Sequence, residues 1–250
     1  MASGHRWNKV GNVFVDVVVT EYENRGIVHW PTAIGATACL CGETALVAHE
    51  SRLPEYGTID SRKVADFVHD GDARGRTIWG YSTEIARQAF GVEVENLPTY
   101  RDVVEQLGTL LLPGSFPALT VAAHVMPHDT PMNAGPRLRK AIHAIAEAEG
   151  LNPNDSSFAL ATAAMKMIGS AQHLGVRDLT LLALQCGVAG SRFAPALGTV
   201  ANPAYGLSNG EEPPDAILRP VTKEAEPQLP ASAAVAQALG SKSGGFGKRR

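Results

Sequence analysis

The sequence predicts an α+β fold: an N-terminal β-hairpin within a mixed region, then a three-helix cluster, then a disordered C-terminal arm. Three observations carry that expectation. A β-branched run from Asn12 to Thr20 precedes the turn-forming Asn24-Arg25-Gly26. After Asp129 the apolar residues recur at helical spacing. From Ala201 onward the chain has six of its sixteen prolines and few large apolar side chains, so ordering it would cost more entropy than burial returns. The boundaries read as 1–130 (mixed α/β), 131–192 (helical) and 193–250 (a Pro/Gly/Ala-rich arm).

The elements follow in chain order. Asn12–Thr20 and Ile27–Trp30 form the hairpin, and Pro31 stops the ladder. Ala33–Ser51 has the small residues and leucines of a buried helix, weakened by Gly35 and Gly42. Short helices are expected over Ser61–Val68 and Ser82–Phe90, the second capped by Ser82 and ended by Gly91. Val92–Val94 reads as a short strand, Tyr100–Leu112 as a helix, and Phe116–Met126 as a buried strand bounded by prolines.

In the helical region Pro136 sits in a first turn, with Leu138, Ile142 and Ile145 on one face and Gly150 at the end. Asn154, Asp155 or Ser156 caps the next helix, whose stripe is Phe158, Ala161, Met165 and Ile168. Gly175 separates it from a third, with stripe Leu179, Leu182 and Cys186.

Composition limits the function classes. The 250 residues are 44% apolar and 19% charged, which suits a packed core and excludes a wholly disordered or collagen-like chain. The net charge of −3 gives the whole chain no basic field. Charge is uneven, however: 10 basic and 16 acidic side chains in 1–130 (−6), against 6 and 4 in 131–192 (+2). Cys39, Cys41 and Cys186 make no disulfide framework and fit a reducing compartment. No secretory leader or membrane-length apolar run is visible in the sequence, so a cytoplasmic protein without membrane contact is expected.

Cys41-Gly42-Glu43-Thr44 is the sharpest catalytic candidate. A cysteine at a helix start has its thiolate favoured by the dipole and free N–H groups. These residues resemble the nucleophile segment of C39-like, papain-fold peptidases. That resemblance implies a cysteine hydrolase with Cys41 as nucleophile, His124 or His128 as base and Asp129 as its orienting partner. No glutamine for an oxyanion hole precedes Cys41, and free cysteine equally reads as a small buried hydrophobe.

His29, Cys39, Cys41 and His49 match no common zinc spacing, and Asp66, Asp70 and Asp72 match no calcium loop. No metal and no cofactor is expected, and phosphate-loop and serine-elbow motifs are lacking.

The basic residues of the helical region read differently. Arg137, Arg139 and Lys140 cluster at one helix start, with Lys166, Arg177 and Arg192 further on. Converging on one groove, they could grip the phosphates of a single strand; dispersed, they are a solvated face.

Phe193-Ala194, Gly198-Thr199-Val200-Ala201-Asn202-Pro203-Ala204, Ile217-Leu218-Arg219-Pro220 and Thr222-Lys223-Glu224-Ala225-Glu226 resemble the C-terminal part of coat proteins of flexuous filamentous RNA viruses. The likeness spans residues 193–239 and lacks that family's aspartate-centred aromatic block. It implies a helical core around single-stranded RNA, arms joining neighbouring subunits, and a place in a virion, with Arg192 the motif's nearest phosphate contact. The leading expectation is therefore a non-enzymatic, self-associating coat or nucleocapsid-type subunit binding single-stranded RNA; the alternative is the Cys41 hydrolase.

Overall fold

The computed structural model describes residues 2–50, 62–69, 77–107 and 116–193. The expected C-terminal arm, apart from Phe193, lies outside these residues. So do Asp70, Asp72 and the end of the helix expected over Tyr100–Leu112.

The described chain is mostly helical, with one two-stranded sheet, which overturns the α+β expectation. Its helices are α1 (Ala2–Tyr22), α2 (Trp30–His49), α3 (Arg62–Val68), α4 (Ile78–Phe90), α5 (Tyr100–Leu107), α6 (Ala134–Ala148), α7 (Pro153–Ser170) and α8 (Val176–Arg192). Single 3₁₀ turns join several of them. The strands are β1 (Glu23–Asn24) and β2 (Ile27–Val28), which pair antiparallel. Arg25 and Gly26 between them both have positive φ, 52° and 80°, as a primed hairpin turn requires.

The main error falls on Asn12–Thr20, which is helix and not strand. Besides its period of two, the run has a second pattern: Val10, Phe14 and Val18, four residues apart, are fully buried where α1 lies along α7. The remaining valines only half-fill the flanks. As a strand this segment would find just two residues, Ile27 and Val28, to pair with; as a helix it satisfies its own backbone. Tertiary packing overrides the β-branched preference.

Phe116–Met126 fails as a strand for a related reason. Pro117 and Pro127 donate no hydrogen bonds, and the segment turns into a 3₁₀ turn at Ala123–Val125. In place of a neighbouring strand, a buried glutamine serves it. Gln185 of α8 accepts from Thr120 N–H at 2.9 Å and donates through Nε2 to Thr120 Oγ1 at 2.5 Å. Val92–Val94 is likewise no strand, its last residue opening a 3₁₀ turn over Val94–Asn96.

Other boundaries shift with their caps. Thr77, not Ser82, caps α4 by accepting from Gly80 N–H at 3.1 Å; Gly91 ends it in the left-handed conformation, φ 69°. Asn152 caps α7, accepting from Asp155 N–H at 2.8 Å. Pro31 opens α2 from its first turn, where a missing N–H costs nothing.

α2 is the axis of the fold. It is buried on all sides between Pro31 and Gly42, as a helix enclosed by others must be, and it packs chiefly on α8 and α7. Residues on both sides of position 130 therefore share one core. The α2–α8 crossing is so close that a Cβ on Gly42 would overlap the Gly187 carbonyl oxygen, and one on Gly190 would overlap that of Cys39. Glycines permit this approach, and it multiplies dispersion contacts between the two backbones. Among the described residues α2 has the length and hydropathy of a membrane span, but most of it is buried inside the fold.

Candidate functional site

Cys41 lies near the middle of α2, not at its start, so the helix N-terminus does not reach it. Its thiol donates to the Ser157 carbonyl of α7 at 3.1 Å, and burial pushes it up to about 12. Cys39 and Cys186 are also fully buried and shifted upward by burial. His124 lies elsewhere: its Nε2 meets the Leu174 carbonyl at 2.9 Å and Asp178 Oδ2 at 3.6 Å. His128 stacks on His29. Asp129 accepts from Asn133 at 2.7 Å, and its other oxygen lies 3.2 Å from Arg137 Nη1, outside hydrogen-bonding geometry. Cys41, His124 and Asp129 thus meet three separate sets of partners, and no nucleophile–base pair is assembled among them.

Cys41 instead lines a narrow apolar cavity of about 30 Å³, together with Ala38, Trp79, Met165, Leu184 and Val188. Metabolite pockets are on the order of 300–1,000 Å³. Its lining is almost wholly apolar and offers few polar groups to orient a ligand.

The six basic candidates divide. Arg139 Nε donates at 2.5 Å to Glu43, a carboxylate of α2 that is only 4% exposed. Lys166 turns inward to the Asn8 carbonyl, at 3.1 Å, and to Asn12, joining α7 to α1; burial lowers it to about 8. Arg177 donates to the Asn96 carbonyl at 3.0 Å and lies 3.5 Å from Asp178. Arg192 is half-buried at the end of α8. Arg137 and Lys140 are exposed, three residues apart on α6. Arg137 also lies over the Tyr22 ring, 5.9 Å from its centroid.

The six therefore do not converge on one groove; α6 alone presents two of them outward. No family model, curated protein or solved structure matches this chain. Among the described residues no group of three or more His, Cys, Asp or Glu side chains is arranged to hold a metal.

Two groupings escaped the sequence reading. Glu43 stands within the cysteine motif, yet as a lone charge in the apolar stretch Ala33–Ala48 it signals a buried partner. The second is the pair His29 and His128, separated by 99 positions in sequence and stacked with ring centroids 3.5 Å apart. No local pattern reveals it.

Proposed function

We propose that this protein works by association, as a self-assembling subunit that binds single-stranded RNA through the outer face of α6. The observation carrying this reading is the exposed basic pair Arg137 and Lys140 on that face, with the small Ala141 and Ala144 beside it. Two cations one helical turn apart can meet neighbouring phosphates, and small side chains leave a backbone room to approach. Arg139 and Lys166 are spent on partners within the fold, and the exposed Arg177 holds the Asn96 carbonyl; Arg137 also keeps an ion pair with Asp129, so Lys140 carries more of the contact in this reading. The likeness of residues 193–239 to filamentous-virus coat proteins adds the expectation of arms that link subunits in a virion.

Filter binding of a labelled poly(U) strand across a salt series tests the RNA contact. Lys140→Glu should weaken binding several-fold and lower the salt slope by about one. Lys63→Glu, on α3, should leave it unchanged. Absence of binding at low salt, or equal effects of the two substitutions, overturns the RNA assignment. Sedimentation velocity of the concentrated protein tests assembly, and a strictly monomeric boundary refutes it.

A further inference from the structure

The start of α2 is held by a relay of three residues. His29 is its N-cap, with Nδ1 accepting from Thr32 N–H at 3.3 Å. Nδ1 also lies 2.6 Å from Thr32 Oγ1, and that hydroxyl accepts from His128 N–H at 2.8 Å. Because Nδ1 accepts, the ring proton of neutral His29 sits on Nε2, which is buried with no partner. The His128 ring then covers His29 face to face, with 16° between the planes.

This arrangement works only with a neutral His29. A proton on Nδ1 removes the acceptor that Thr32 N–H needs, uncaps α2 and sets a cation against the His128 ring. We infer that the His29–Thr32–His128 relay is an acid-operated latch, whose protonation frees the 127–133 segment, and with it the start of α6, from the beginning of α2.

The surrounding groups leave the latch sensitive to acid. Burial and the neighbouring His128 push His29 down to about 3, and burial also lowers His128. From the segment before α6, Asp129 is turned to Asn133 and Arg137; from α6, Arg137 faces Asp129 and, across from it, Tyr22 of α1. His128 is the titratable group whose charge acts on His29.

The sign follows from the depressed value. The open state takes up the proton near the ordinary histidine value of about 6.5, whereas the closed state resists until about 3. The latch is therefore at full strength above pH 6.5 and weakens as pH falls toward 3. Opening should rise roughly tenfold by pH 5.5 and approach roughly a hundredfold by pH 4.5.

Hydrogen exchange of the full chain, corrected for intrinsic rates, reads this directly. Amides in 27–36 and 124–133 should lose protection by those factors, while those of 158–168 in α7 keep theirs. His29→Asn retains a capping acceptor that does not titrate, and its protection should stay flat over the same range. Equal loss in H29N and wild type, or a flat wild type, overturns the latch. The Cε1 proton of His29 in the wild-type protein gives a readout independent of any variant: titration near pH 6.5 without loss of protection also refutes it.

Discussion

Gly187 and Gly190 lie three residues apart on α8, yet an added methyl meets different surroundings at each. At Gly187 the nearest atom to a new Cβ is the Ala38 carbonyl oxygen at 3.6 Å, an ordinary contact. At Gly190 the Cβ would overlap the Cys39 carbonyl oxygen and sit 2.8 Å from its carbon. Those are backbone atoms in the middle of α2, and no side-chain rotation can relieve the clash. The helices would have to part by roughly 1 Å, loosening contacts along the whole crossing.

Overpacking of this kind costs about 3 kcal/mol or more when backbone must move, against about 1 kcal/mol gained from replacing glycine by alanine in a helix. Gly190→Ala should therefore lose roughly 2 kcal/mol or more, whereas Gly187→Ala should be neutral or gain up to about 1 kcal/mol. Urea unfolding followed by far-UV circular dichroism, with unchanged slope, measures both. Equal midpoints for the two variants would show that the α2–α8 crossing is not the close one described.

Arg139→Met leaves Glu43 buried without its guanidinium and should cost about 3–5 kcal/mol, whereas the double variant Glu43→Leu with Arg139→Met should recover most of the loss. A double-mutant cycle by denaturant titration measures the coupling, and additive losses would refute it. Trp7→Ala removes a ring stacked on Phe158 at 4.5 Å and a 2.8 Å bond to Asp155; a loss of about 3–5 kcal/mol should follow in thermal melts. Cys41, raised from 9 to about 12 by burial, should alkylate about a thousandfold more slowly at pH 8 in the native than in the unfolded protein. Rapid native labelling read by mass spectrometry would contradict that placement. The same raised thiols contribute stability below pH 9 that is lost as pH rises toward 12, so the melting temperature at pH 10 should fall below that at pH 8.

Much of the helical region was legible because its signals are local. Of the expected stripes, Leu138 and Ile142 on α6 and Leu179, Leu182 and Cys186 on α8 are buried, and Ile145 is partly buried against the core. Gly91 and Gly150 adopt the left-handed conformation at two helix ends, and the hairpin turn at Asn24–Gly26 is present. The candidate site was far less legible. Chemistry at Cys41 depends on what stands against its sulfur, and that is a carbonyl 116 positions away. Likewise Arg139 and Lys166 read as free cations until Glu43, Asn8 and Asn12 are brought to them.

By itself the sequence determined that three helices follow residue 130 and which apolar residues they bury, since apolar spacing acts over a few residues, although the cap of α7 falls on Asn152 and not on residues 154–156. Tertiary structure alone decided that Asn12–Thr20 coils along α7, because period-two and helical patterns coexist there and packing partners select between them. It alone decided which charges face water, because a buried carboxylate captures whichever cation the fold delivers to it.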